Sequence, residues 1–303
     1  MGEILKYNCI RVQINGEFAC TGEFREKKQL SEGVRDLARY IGNYIEKQVD
    51  GTIILQSPML LEFSNVRHAF TTRQIIDAQA KEKFSELNMS LNSPDFPEHF
   101  EFFAKAFGIN PRSCVFSHQT HSKNIKVVNH SDINEPYWER KVNDIDGLIT
   151  SEPGIFLVTT YADCMPIVAY DSNRKIVGVA HSGWRGTLLE IAKELILKMN
   201  EEFNCSPQDI FVTVGPSIGP ESFEVGSDVA SEFSMKFGKR VVIERSGRFY
   251  VDLWKAVEIS LSTVGIMHLE FSNIDTYKTT EYFYSYRKER TKKRFAAIVG
   301  VIK

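Results

Sequence analysis

Apolar positions along the chain change period several times, and each change predicts an element. Over residues 187–203, TLLEIAKELILKMNEEF, the side chains Leu188, Leu189, Ile191, Ala192, Leu195, Ile196 and Met199 recur on one side. That spacing predicts a strong amphipathic helix. Thr187 and Glu190 stand at capping-box spacing, which sets its start at Thr187. PEHFEFFAKAFGINP (97–111) reads as a second helix, closed by glycine and proline. SCVFSH (113–118), KVV (126–128), GLIT (147–150), IFLVTTY (155–161), DIFVTVGPSIG (209–219) and FAAIVGVI (295–302) read as strands, the last one buried. Several neighbouring strands are joined by connections too short for a crossover helix, so the sheet is at least partly antiparallel. The fold class expected is α/β (α+β), a layered sandwich with a mixed sheet.

Residues 1–62 read as a smaller unit laid on the main sheet, and 63–303 as the principal domain. In the first unit CIRVQI (9–14), EFACTG (17–22) and TIILQ (52–56) predict short strands. Between them SEGVRDLARYIGNYIEKQ (31–48) places Val34, Leu37, Ala38, Ile41 and Ile45 at helical spacing, with Ser31 as its cap. No chemistry is evident there.

The segment YADCMPIVAYDSNRKIVGVAHSGWRGT (161–187) carries the chemistry. IVAY and KIVGVA flank DSNR, a run of turn-forming residues. A four-residue loop that pairs Tyr170 with Lys175 sets Cys164 directly across from His181. Cross-strand partners share a face with Cβ atoms about 4.5–5.5 Å apart. Such a thiol and imidazole can share a zinc ion or act as nucleophile and base. Pro166, which cannot donate to the ladder, is a reason for a kink nearby. SGWRG then reads as a loop entering a helix N-terminus, an anion site to which Arg185 adds a bidentate grip. A catalytic zinc needs a third protein ligand. HQTH offers His118 and His121, and spacing does not choose between them.

Composition narrows the classes. The 43% hydrophobic content is that of a globular core, and 37 basic against 39 acidic residues give no bulk pull toward nucleic acid or membrane. The basic run RKERTKKR (287–294) reads as a solvated face. No apolar stretch approaches the roughly 20 residues of a spanning helix. The start lacks a signal-peptide order, and Lys6 breaks the myristoylation pattern. Five scattered cysteines favour a reducing compartment, and a cytoplasmic address is expected.

HAFTTR (68–73), SELNMS (85–90), HQTH (118–121), DGLIT (146–150), PGIFLVTTYADCMP (153–166), AHSGWRG (180–186), GPSIGPESFEVG (215–226) and YSYRKERTKKR (284–294) together resemble the laccase-domain, YfiH-type family. Its members were once called polyphenol oxidases and are now regarded as purine nucleoside phosphorylases. The resemblance runs from about Val66 to the C-terminus. It implies that His121, Cys164 and His181 are the metal ligands, selecting His121 over His118, with zinc the favoured ion and copper able to bind the same donors. It implies phosphorolysis of adenosine, inosine or guanosine to base and ribose 1-phosphate, with methylthioadenosine cleavage and adenosine deamination as further activities. Arg185 is the first candidate for phosphate, with Arg73 and Arg287 next. Asp163 is expected to orient a ligand or bind ribose, and Tyr161 or Phe223 to stack on the base.

The chain departs from the family at Glu221 and Ser222, in the loop QIIDAQAKEKF after Arg73, and at TKKR where Thr-Gly-Arg is usual. These departures bear on substrate preference. The first 62 residues lie outside the shorter bacterial pattern, as in a eukaryotic-type member. A competing reading is a cysteine hydrolase using Cys164 and His181. Four-copper oxidase chemistry is disfavoured, since 7 histidines include no His-x-His pair.

Overall fold

The computed structural model describes residues 11–14, 17–20, 39–139 and 144–302. Two sheets lie at its centre. The larger has seven strands in the order Tyr40–Ile41, Tyr44–Val49, Thr52–Gln56, Val66–Ile75, Phe295–Val301, Phe156–Tyr161 and Cys114–Phe116. Its pairs are antiparallel except the last, which is parallel. The second has six strands in the order His268–Phe271, Ile210–Val214, Met165–Asp171, Ile176–Ser182, Gly147–Thr150 and Ile125–Val127. It is antiparallel inside and parallel at both edges. A three-stranded sheet, Glu224–Val225, Arg248–Val251 and Val242–Arg245, stands beside them. The architecture is the mixed, layered α/β sandwich expected.

Side-chain alternation builds the layers. In Met165–Asp171, Ile167 and Ala169 face the helices Ile191–Phe203 and Leu253–Ser262, while Val168 and Tyr170 face the seven-stranded sheet. In Phe295–Val301, Phe295, Ala297 and Val299 meet that same inter-sheet core. Ala296 and Ile298 turn to the outer layer, where Phe96, Phe100, Phe103 and Phe107 of helix Phe96–Phe107 pack. Gly108 ends that helix in the left-handed conformation (φ 70°), as the glycine-proline signal predicts.

Two local expectations fail. Residues 40–49 are not the second half of a helix but the hairpin Tyr40–Ile41 and Tyr44–Val49; residues 31–38 lie outside the described part. Gly42, at φ +55°, sits so close to the carbonyl of Ser272 that a Cβ would come within 2.2 Å of it. Asn43 donates from its backbone to Ser272 O and from its side chain to Phe271 O. These contacts to the second sheet, with Tyr44 fully buried between the sheets, override a weak helical period. Strand Thr52–Gln56 forms as expected and pairs directly with Val66–Ile75, so residues 40–56 extend the edge of the larger sheet.

The second failure is the capping box. The chain folds into two helices, Trp184–Leu188 and Ile191–Phe203, separated by Glu190 at φ 58°. Thr187 is inside the first, its hydroxyl bonded to Ser182 and to Gly183 O at 2.9 Å each. Glu190 pairs with Lys236 and Ser260 instead of reaching back to Thr187. GWRG is therefore mostly a short helix that follows strand Ile176–Ser182 immediately.

Candidate metal centre

The hairpin 165–182 forms, but its register is two residues from the one expected. Asp171 pairs with Ile176, and Pro166, not Cys164, faces His181. The reason is Asp171, whose carboxylate accepts from the backbone N–H groups of Asn173 and Arg174 at 2.9 and 2.7 Å. With Lys175 at φ 60°, that closes a loop of residues 172–175. A slip of two preserves the face of every side chain. Cys164 thus stays on the His181 side, in a bend just before the strand.

Asp163 makes that bend. It adopts φ 83°, its carbonyl accepts from Ile218 N at 2.9 Å, and its buried carboxylate accepts from Thr276 Oγ1 at 2.8 Å and Arg287 N at 2.6 Å. Burial raises its pKa, against the lowering by those donors. Asp163 therefore braces the backbone that carries Cys164.

Asp146 organises the other donors, and the sequence reading assigned it no role although it opens DGLIT. Fully buried, its carboxylate accepts from the N–H groups of Thr120, His121 and Ser122 at 3.0, 3.1 and 2.8 Å, and from Ser122 Oγ at 2.8 Å. These bonds bend the chain so that His121 takes φ 65°. The same carboxylate meets His181 Nδ1 at 2.8 Å, while Asp146 O accepts from His181 N at 2.7 Å. An Nδ1–H donated to Asp146 leaves Nε2 of His181 as a lone-pair donor.

The ligand atoms of His121, Cys164 and His181 all lie within 4.8 Å of one another, and Cys164 Sγ is 3.9 Å from His121 Nε2. Zinc bonds of about 2.0–2.3 Å in a tetrahedron require donors about 3.3–3.8 Å apart. The set fits that ion after a small contraction, and its His2Cys chemistry suits zinc or copper. The rings of His121 and His181 meet at 74° with centroids 4.9 Å apart. His118 is not among them; its carbonyl accepts from Ile145 N.

Electrostatics favour a thiolate. Burial alone would raise the Cys164 pKa, but His181 and the hydrogen bond from His121 bring it down to about 6. Burial would lower that of His181, and Cys164 with Asp146 raise it instead to about 9. Asp146, despite burial, is held well below the usual carboxylate range by His181 and the loop amides.

The three arginines separate clearly. Arg73 is committed to Glu86 (2.6 Å), Glu289 (2.9 Å) and Thr280 O (2.7 Å), under the Tyr284 ring. Arg287 donates to Glu224 O at 2.6 Å and lies over Phe223. Arg185 is exposed, stacked on Trp184 at 4.5 Å, and makes no ion pair with any described residue. Tyr161 is buried within 5.5 Å of the His181 ring and serves as packing. A cavity of about 270 Å³ lined by Phe116, Ser117, Lys126 and Leu148 has none of the three donors in its wall.

Residues 67–302 match the sequence profile of the multi-copper polyphenol oxidoreductase laccase family. The chain belongs to that family. A protein of Bacteroides thetaiotaomicron named purine nucleoside phosphorylase is 31% identical over 242 residues, spanning 76% of this chain and 88% of its own. The Escherichia coli purine nucleoside phosphorylase YfiH is 28% identical over 72% of this chain and 88% of its own. In three dimensions the crystal structure of YlmD from Geobacillus stearothermophilus superposes with a TM-score of 0.76 at 27% identity, covering 85% of this chain and 98% of that one. Among the described residues, no helix is long and apolar enough to cross a membrane.

Proposed function

We propose that this chain is a zinc-associated purine nucleoside phosphorylase acting in the cytoplasm, with residues 63–303 as the catalytic unit and residues 1–62 as an accessory extension. Its reaction joins phosphate to the anomeric carbon of adenosine, inosine or guanosine, releasing the base and ribose 1-phosphate. The observation that carries the reading is the convergence of His121, Cys164 and His181, with His181 oriented by Asp146. The names of the relatives supply the substrate class. Free thiols at Cys114, Cys164 and Cys205 suit a reducing compartment.

His121, Cys164 and His181 would hold the metal. Zinc bound there supplies a Lewis acid with an open position for water or an oxyanion. Copper would bind the same donors. Asp146 keeps the proton of His181 on Nδ1 and so keeps Nε2 directed at the ion. Arg185, free of carboxylates, is available to an arriving phosphate. Arg73 is too fully committed to glutamates for that role. Asp163 contributes by holding the Cys164 bend. Methylthioadenosine cleavage and adenosine deamination belong to the same proposal as further activities of the site.

One observation favours a second reading. Cys164, His181 and Asp146 also stand in nucleophile–base–orienting-acid order, with a thiol brought down to about 6. That describes a cysteine hydrolase. Incubation with inosine and with adenosine, with and without phosphate, separates the two. Phosphate-dependent base release that a chelator abolishes and zinc restores, and that Cys164→Ala lacks, supports the phosphorylase. Conversion of adenosine to inosine without phosphate makes deamination the principal activity. Inertness toward nucleosides, with stoichiometric alkylation of Cys164 and no change on chelation, refutes it in favour of the hydrolase.

A further inference from the structure

Arg294 immediately precedes the last strand of the seven-stranded sheet, Phe295–Val301. That strand pairs antiparallel with Phe156–Tyr161, with Phe295 opposite Tyr161. One further step in the same register sets Arg294 across from Ala162, two residues before Cys164. Its backbone is fixed from the other side as well. The N–H of Arg294 donates to Asn88 Oδ1 at 3.0 Å, and its carbonyl accepts from Met89 N at 2.8 Å. The backbone of Arg294 therefore stands at a strand end close to the Cys164 bend, and its anchors do not depend on the side chain.

That guanidinium is half-buried and has no carboxylate within ion-pair distance among the described residues. Nη1 donates to two carbonyls of its own loop, Thr291 O at 3.1 Å and Lys293 O at 2.8 Å. Nε and Nη2 carry three of the five N–H donors, and no described residue accepts from them. Arg73 offers the contrast: equally drawn in, it is neutralised by two glutamates. A half-buried guanidinium with N–H groups that no described residue takes up is open to an anion. Burial pushes the Arg294 pKa down, and the negative groups Cys164, Asp163 and Tyr286 act against it. Asp163 is not its hydrogen-bonded partner, since that carboxylate is bound to Thr276 and to the backbone of Arg287.

We propose that Arg294 is the principal anion-binding residue of this centre, holding a tetrahedral oxyanion beside His121, Cys164 and His181 with the N–H groups its own loop leaves free. The identity of that anion as inorganic phosphate rests on the phosphorylase reading; the position of the anion does not. Planar N–H pairs match two oxygens of a phosphate, which a lysine at the same place cannot do.

The test is calorimetric titration of inorganic phosphate into the full-length, zinc-loaded protein, with Arg294→Gln, Arg294→Lys and Arg185→Gln alongside. Arg294→Gln is expected to weaken phosphate binding roughly tenfold to hundredfold, the loss of charge-assisted bonds. Arg294→Lys should fall between it and the parent, and zinc content should not change. In turnover, the KM for phosphate should rise while the KM for inosine holds. Absence of saturable phosphate binding in the parent overturns the inference, as does an Arg294→Gln variant that binds phosphate like the parent. Loss of zinc in both Arg294 variants does so too, since it makes the residue structural. Should Arg294→Gln not fold, Arg294→Lys with parental affinity and parental phosphate KM is refuting in its place. Phosphate binding that depends on Arg294 without base release from any nucleoside leaves the anion site standing and removes the phosphorylase reading. Phosphate-dependent base release with an unchanged phosphate KM in Arg294→Gln does the reverse.

Discussion

Gly183 offers the sharpest test of the metal centre, because its substitution acts on the donors and on little else. Its backbone, at φ −73° and ψ 177°, is open to any residue, so alanine brings no conformational strain. A Cβ there, however, would lie 2.7 Å from Cδ2 of His121 and 3.1 Å from Sγ of Cys164. Ordinary contact begins at about 3.4 Å, so the imidazole must withdraw by about 0.7 Å and the sulfur by about 0.3 Å. Metal–ligand distances tolerate only about 0.2 Å. His121 is exposed and swings away at small cost to the fold, which moves the penalty onto the ion. For Gly183→Ala we expect zinc affinity to fall roughly tenfold to hundredfold, about 1.4–2.8 kcal/mol, comparable to loss of an orienting partner. Stability of the metal-free protein should change by less than about 1 kcal/mol. Competition with a chromophoric chelator reads the first quantity, and denaturant unfolding of the metal-free protein the second. Zinc bound as tightly by Gly183→Ala as by the parent would refute the reasoning.

Asp146→Asn removes the charge that holds three loop amides and His181; denaturant unfolding should report a loss of about 2–4 kcal/mol, with zinc affinity reduced in parallel. Arg73→Gln should destabilise by less, about 1–2 kcal/mol, by leaving Glu289 without its cation and Glu86 with Lys293 alone, yet leave zinc content and the phosphate KM unchanged. His68 gives a pH dependence. Burial lowers its pKa to about 3, and its Nε2 accepts the Ser57 N–H as only the neutral ring can, so the unfolded chain binds the extra proton. Its contribution is complete above about pH 6.5 and is lost as pH falls toward 3, at about 1.4 kcal/mol per pH unit. Unfolding free energies of His68→Gln should lack that component, and parallel pH profiles for variant and parent would contradict it.

The convergence of Cys164 and His181 was legible in the sequence, for identifiable reasons. Cys164 and His181 bracket a short hairpin, and a two-residue error in register kept them on one face because strand periodicity is two. The loop was placed one residue too early because the decisive bonds come from the Asp171 side chain, which works as a turn cap while remaining in the strand. The resemblance singled out His121, but spacing could not, since its position depends on Asp146, distant in sequence. Arg73 stood next after Arg185 as a phosphate candidate in the sequence; only folding brings Glu86 and Glu289 to it. The helix expected over 31–48 failed at residues 40–49 because Tyr44 and Gly42 meet Thr213 and Ser272, partners contributed by the other sheet. The helix expected over 187–203 ended as expected but starts earlier, at Trp184, and is broken at Glu190, where Lys236 and Ser260 hold the carboxylate.

The placement of the donors has a consequence for how the chain reaches its native state. Cys164 follows a strand of the larger sheet and precedes one of the smaller; Asp146 immediately precedes an inner strand of the smaller, and Arg294 the last strand of the larger. His121 and His181 are held from the smaller sheet through Asp146, whereas the Cys164 bend is braced by Asp163 against Thr276 and Arg287, so the coordination sphere is expected to close once those segments have packed together. Ion capture is then expected late in assembly. In a refolding reaction followed by a zinc indicator and by tryptophan fluorescence together, uptake of the ion marks the arrival of the native sandwich and lags the collapse of either half.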